Sequence, residues 1–275
     1  MSHHIRVLRR ALSLAAAGAI ALTLAGTQEA QAITNGQPDG NGHPNVGLMV
    51  LHEPGQGLFR LCSGFLIAPN QFLTAAHCLA FLPGSGLILD GVTFDPVFDP
   101  NTVNIVPAAS FTVDPQFTGT DNGDRHDMGV ITLGANVATA PVRLPTAGLL
   151  DQLAAQGGLR GQQFTVVGYG VTGKTRGGGP PLPIDFDQAV RRVAMSPFMS
   201  LSQNMLKLLG ENNATGEGGV CFADSGSPKF LNISGQDFAV AITTLGDHVC
   251  EAMSSNYRLD TPSARGFLGQ FVTLP

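Results

Sequence analysis

The 275-residue sequence has no Cys-x-x-Cys and no His-x-His. These are the close spacings by which a zinc site normally shows itself, and no metal or other cofactor is expected. Beyond its first ten residues it lacks any cluster of basic side chains able to hold a phosphate backbone, which argues against nucleic acid as a partner. Its one extended apolar run, Ala11 to about Gly26, is short and closely followed by polar residues. It does not favour a membrane span, so no stable membrane insertion is expected. No repeat of fixed period stands out. With 35 Gly and 18 Pro, long helices have little room.

The first segment has its own pattern. Arg6, Arg9 and Arg10 form a basic region before the apolar run, and Ala30-Gln31-Ala32 gives a small-x-small cleavage pattern. Residues 1–32 therefore read as a signal peptide, and the product as secreted, either extracellular or periplasmic. Arg9-Arg10 leaves twin-arginine export open beside the general route. The leader carries three Arg and Glu29, so the rest of the chain is more acidic than the formal net charge of −5. All four cysteines lie after the leader and fit an oxidising destination. Three connectivities are open to them.

Short apolar runs bounded by Gly, Pro, Asn or Asp dominate the remainder. Val46–Leu51, Phe65–Ile67, Met128–Leu133, Phe164–Gly168, Ala239–Ile242 and Tyr257–Leu259 read as strands of an all-β protein. Phe198 to Leu209 and Pro262 to Val272 are the two candidates for modest helices. Pro141 to Pro145, followed by Thr146-Ala147-Gly148, reads as a passage between two halves. Lys174 to Pro183 is too rich in Gly and Pro for a central strand and reads as an exposed loop.

Chemistry concentrates in two segments. Leu73-Thr74-Ala75-Ala76-His77-Cys78 sets a histidine beside a cysteine, and Cys221-Phe222-Ala223-Asp224-Ser225-Gly226-Ser227-Pro228 sets a serine among small residues. A serine hydroxyl is a weak nucleophile until a base takes its proton, and the base needs a buried carboxylate to fix its tautomer. Asp121, Asp124 and Asp127 all precede the apolar strand at Met128 and are candidates for that carboxylate. The Gly-x-Ser-x-Gly of an α/β-hydrolase does not surround Ser225. Asp90, Asp95 and Asp99 would suit a hard cation by type, but Asp90-Gly91, Asp95-Pro96 and Asp99-Pro100 are ordinary turn dipeptides. His43, His52 and His248 show no partner pattern and are placed on the surface.

The first segment resembles the histidine signature of trypsin/chymotrypsin-like serine proteases. The second resembles that family's Gly-Asp-Ser-Gly-Gly-Pro motif, with Ala223 and Ser227 standing for two of its glycines. The resemblance implies two antiparallel six-stranded β-barrels with a short C-terminal helix, residues 33–148 and 149–275, together one peptidase domain 33–275. It implies a monomeric serine endopeptidase acting on proteins or peptides through His77, Asp127 and Ser225, with Asp127 chosen because it abuts its strand as in the family. It also implies disulfides Cys62–Cys78 and Cys221–Cys250, and an oxyanion hole from the backbone of Ala223 and Ser225. The pocket would comprise Gly219, Val220, Thr244, Leu245, Gly246 and Ser255. None of these is charged, and an uncharged P1 residue is expected, because a substrate ammonium would be left unpaired there. Asp247 and Glu251 are near enough in sequence to reach the rim. Cleavage after Ala32 would expose Ile33, whose amine is expected to pair with Asp224. A silent binding protein on the same scaffold is the alternative, because Ala223 occupies a position that is Gly in the motif.

Overall fold

The computed structural model describes residues 33–120, 124–171, 189–210, 218–247, 250 and 252–275. The leader, the loop Lys174–Pro183, Asp121, His248 and Glu251 lie outside the described residues.

After a two-residue strand, β1 (Gln37–Pro38), the first half contains β2 (Val46–His52), β3 (Leu58–Ala68), β4 (Gln71–Thr74), β5 (Ile88–Thr93), β6 (Val97–Phe98), β7 (Val106–Val113) and β8 (Gly129–Leu133). Six of these close antiparallel into a barrel in the order β2-β3-β4-β8-β7-β5. The second half contains β9 (Gln163–Gly168), β10 (Ala189–Val190), β11 (Arg192–Leu201), β12 (Met205–Leu209), β13 (Pro228–Ile233), β14 (Gln236–Gly246) and β15 (Met253–Arg258). Here β11-β12-β15-β14-β13-β9 closes through β9 against β11. Closure leaves neither sheet with a free edge along its length. The expected two-barrel architecture is what the chain adopts. The start of the chain crosses over, since β1 pairs with β11 of the second barrel.

Each barrel fills its own interior, the first with Leu66, Phe72, Val92 and Ile131 and the second with Phe164, Val166, Leu206 and Val240. A third cluster joins the barrels. Val46, Phe65, Leu73, Met128 and Val130 meet Tyr169, Phe230, Ile242 and Tyr257, together with Ala264, Phe267 and Leu268 of the C-terminal helix Pro262–Leu268. That helix starts where Thr261 Oγ1 accepts the Ala264 N–H, an N-cap followed directly by proline.

One helix expectation is overturned. Phe198 to Leu209 forms the end of β11, a turn, and β12. Leu206 and Leu208 point inward alternately, β12 pairs along its length with β15, and Ser202 Oγ accepts the Met205 N–H to close the turn. Cross-strand pairing thus outweighs local helix propensity. A short helix, Leu149–Ala155, appears instead. Gly148 gives it no side-chain cap, and Asp260 Oδ2, from far along the chain, accepts the Leu150 N–H. His43 and His52 also differ from expectation. His43 Nδ1 lies 2.6 Å from Asp39 Oδ1 with its ring stacked on Phe230, and His52 Nδ1 lies 2.7 Å from Asp90 Oδ2. Both are half-buried: His43 pairs with a carboxylate four residues earlier and packs on β13, and His52 takes its carboxylate from the neighbouring strand β5.

Candidate active site

β4 and β8 are neighbours in register, with Thr74 opposite Gly129. The chain just after β4 therefore meets the chain just before β8. It leaves β4 into the 3-10 turn Ala76–Cys78, which the Cys62–Cys78 disulfide ties back to β3. His77 on that turn donates its backbone N–H to Asp127 Oδ1 at 2.9 Å. Its ring Nδ1 lies 2.9 Å from Asp127 Oδ2 and 3.1 Å from Oδ1. Asp127 is almost fully buried, while the His77 side chain is 37% exposed. The carboxylate therefore fixes Nδ1 as the ring's donor and leaves Nε2 toward the open side.

Asp124 is engaged elsewhere. Its Oδ1 accepts the Tyr257 O–H at 2.6 Å, and its Oδ2 lies 3.7 Å from His126 Nε2. Asp127 is thus the described candidate that reaches His77. Asp90, Asp95 and Asp99 are likewise separately occupied, by His52, Asn104 and Asn101 respectively.

Ser225 comes from the second barrel, on the loop before β13, which the Cys221–Cys250 disulfide anchors. It lines a cleft of about 240 Å³ together with His77. Thr244, Leu245 and Gly246 of β14 line it as well, as do Phe222, Thr243, Asp247 and Cys250. Asp247 is near enough in sequence to be expected at the rim, and it is on the lining. Phe222 and Thr243 are not expected there, although both adjoin residues already singled out. Gly219, Val220 and Ser255 stand behind this lining. Val220 is buried beside Gly246, Ser255 is opposite Leu245 in the sheet, and Gly219 is paired through its backbone to Thr34.

The loop before Ser225 is a tight turn. The Asp224 N–H donates to Cys221 O at 3.1 Å, and Ala223, third in the turn, has a φ of 72°. That combination is a type II turn, whose third position favours glycine. Ala223 O accepts both the N–H and the hydroxyl of Ser63, at 3.1 and 3.0 Å, which fixes the plane of the peptide on its C-terminal side. Among the described residues, neither the Ala223 nor the Ser225 amide donates a hydrogen bond within the protein.

Asp224 is fully buried. The Gly170 N–H donates to its Oδ1 at 2.8 Å and the Cys221 N–H to its Oδ2 at 2.9 Å. Burial pushes its carboxyl above the usual range, against the pull of those two amides and of the Lys229 and Arg60 charges. Ile33 is also fully buried, within the second barrel's core beside Val220 and Phe164. Thr34 docks alongside the pocket by exchanging backbone hydrogen bonds with Gly219, at 3.0 and 3.2 Å. Among the described residues, the hydrogen bonds that the Asp224 carboxylate accepts are those from the Gly170 and Cys221 amides.

A family model described as Trypsin matches residues 36–264 of the chain. A protein named "Trypsin" from Saccharopolyspora erythraea is 28% identical to it over 186 residues, covering 63% of this chain and 71% of that protein.

Proposed function

The chain belongs to the trypsin family of serine endopeptidases, and we propose that it cuts peptide bonds with Ser225 as nucleophile, His77 as general base and Asp127 as the carboxylate that orients it. The carrying observation is His77 itself, held on Nδ1 by buried Asp127 and sharing one cleft with Ser225. In this reading Nε2 takes the Ser225 proton as the hydroxyl adds to the substrate carbonyl. The imidazolium so formed is stabilised by Asp127 and returns the proton to the departing amine, leaving an acyl-enzyme. The Ala223 and Ser225 amides receive the oxyanion, a contribution of about 3 kcal/mol per donor in related chemistry.

Thr244, Leu245 and Gly246 on the cleft, with Gly219, Val220 and Ser255 behind them, carry no charge, which supports a preference for an uncharged P1 residue, since a basic one would find no carboxylate at these six positions. Asp247 lies on the cleft lining, with its Oδ1 accepting the Ala252 and Met253 amides. Two disulfides fit an oxidising compartment, and the protein is read as secreted and monomeric. No helix among the described residues is long and apolar enough to cross a membrane. The buried Ile33 and the Thr34–Gly219 pairing support docking of the processed N-terminus beside Asp224.

The test combines labelling with profiling. A sulfonyl fluoride should modify Ser225 covalently, and a diverse peptide library should show cleavage after Leu, Phe or Met rather than Lys or Arg. Ser225→Ala and His77→Ala should each abolish labelling and cleavage, and Asp127→Asn should lower kcat by about 10⁴-fold. A full-strength Asp127→Asn enzyme beside a crippled Asp124→Asn would overturn the assignment of the carboxylate. Cleavage confined to Lys and Arg would overturn the pocket reading.

A further inference from the structure

Asp224 is not the only buried charge beside the nucleophile. Lys229, in β13, is also fully buried. An ammonium taken out of water is strongly disfavoured unless it is paired and hydrogen-bonded, so its surroundings must compensate for it. Its Nζ donates to Ser227 Oγ at 3.1 Å and, at 3.5 Å, to Pro228 O. Ser227 Oγ is shared at 2.7 Å with Thr243 Oγ1, and Thr243 lines the cleft.

Ser227 is one of the two residues by which the nucleophile segment departs from the motif it resembles. A glycine there would leave Lys229 Nζ without this oxygen. The same residue holds the loop in register: the Ser227 N–H donates to Asp224 O, the Thr243 N–H to Ser227 O, and the Gly226 N–H to Thr243 O. Ser227 Cβ and Asp224 Oδ1 both lie against Gly168, where an added Cβ would come within 3.3 and 2.1 Å of them. Lys229 is thus bonded to a residue packed beside the Asp224 carboxylate; of the residues on either side of Ser225, Asp224 is tied to Ser227 directly and Gly226 through Thr243. The electrostatics agree. Burial lowers the Lys229 pKa while the Asp224 charge pulls it back up. Arg60 adds a second positive charge, anchored through its guanidinium on Tyr169 O.

We propose that Lys229 is a positioning residue whose ammonium, bound through Ser227, holds the loop carrying Ala223 and Ser225 in its working conformation, so that this loop does not depend on the Ile33 amine alone. The proposal rests on the reading of Ser225 as nucleophile. It predicts redundancy between two cations, which a merely structural lysine would not give.

Four proteins test it: one beginning at Ile33, one with a single alanine before Ile33, Lys229→Met beginning at Ile33, and Lys229→Met with the added alanine. For each, kcat and KM on one peptide substrate, the rate of sulfonyl fluoride labelling, and the melting temperature are measured. The added alanine alone should lower kcat by about tenfold or less, and Lys229→Met alone by a similar factor, with KM little changed. Together they should lower it by over about a thousandfold, well beyond the product of the single effects. Ser227→Gly, which keeps the ammonium but removes its bridge, should also sensitise the enzyme to the added alanine and serves if Lys229→Met does not fold. Complete loss of activity on adding the alanine to the Lys229 protein overturns the proposal. So does an alanine effect of equal size with and without Lys229, or with Ser227→Gly where Lys229→Met does not fold. Activity surviving in Ser225→Ala would instead overturn the nucleophile assignment on which the proposal rests.

Discussion

Ala223 is the residue at which geometry and sequence conflict most. Its φ of 72° places a Cβ in the left-handed region, at a cost of about 1 kcal/mol relative to glycine. The surroundings impose the conformation: the turn hydrogen bond from Asp224 to Cys221 on one side, and two hydrogen bonds from Ser63 to the Ala223 carbonyl on the other. The amide next to this strain is one of the two proposed oxyanion donors, so a relaxed turn should act mainly on the transition state. Ala223→Gly is expected to raise kcat by about two- to fivefold with KM little changed, as about 0.5–1 kcal/mol of released strain would give. Steady-state kinetics on a single peptide substrate decides it. A Gly variant with an unchanged or lower kcat would mean that the alanine is held there without penalty to the reaction.

At the scale of elements, the site is assembled by turns at the ends of strands. The turn after β9 brings Gly170 against Asp224, where an added Cβ would sit 2.2 Å from Oδ2 and 2.4 Å from the carboxyl carbon. Because the same Gly170 also donates its amide to that carboxylate, Gly170→Ala should displace Asp224 and loosen the nucleophile loop. The expected result is a loss of about 1–3 kcal/mol in unfolding free energy. Activity should fall further than the unfolded fraction explains when assayed well below the melting temperature. An alanine variant of native stability and activity would show that Asp224 can shift without consequence. Strands such as Val46–His52 and Gln163–Gly168 were legible because their apolar runs are short and punctuated by turn residues. Phe198–Leu209 was misread because its apolar spacing also suits a helix, and only the partner strand β15 resolves the ambiguity. The helix at Leu149 was invisible because its cap is Asp260, more than a hundred residues away. At the site, the histidine and nucleophile segments were readable as motifs. Lys229 was not, since nothing local marks a lysine as buried.

At the scale of the whole molecule, one buried cation fastens the N-terminal segment and both barrels together. Arg191, without solvent exposure, donates from Nε to Asp39 Oδ2 at 2.9 Å, and its guanidinium also donates to Gly40 O. It reaches Val46 O and Phe94 O in the first barrel and the Tyr169 hydroxyl in the second, each at 3.0 Å. Asp39 is therefore the counter-charge of a junction. Burial opposes its ionisation, but hydrogen bonding and charge from His43, with Arg191 adding to them, win and hold its pKa below the ordinary 3.8. A carboxylate depressed in the folded state contributes stability that is present above its unfolded pKa and lost as pH falls through the folded one. Wild type should therefore exceed Asp39→Asn in unfolding free energy at neutral pH, and the gap should close as the solution is acidified below 3.8. Arg191→Met, which leaves the Asp39 carboxylate to His43 and strips the buried carbonyls of Val46 and Phe94 of the guanidinium, should cost about 1–3 kcal/mol at neutral pH and recover part of that on acidification. Urea unfolding of the three proteins from neutral pH down to about pH 2 measures all of these together. A difference between wild type and Asp39→Asn that stays constant across that range would show that the Asp39 charge contributes nothing to holding the barrels together.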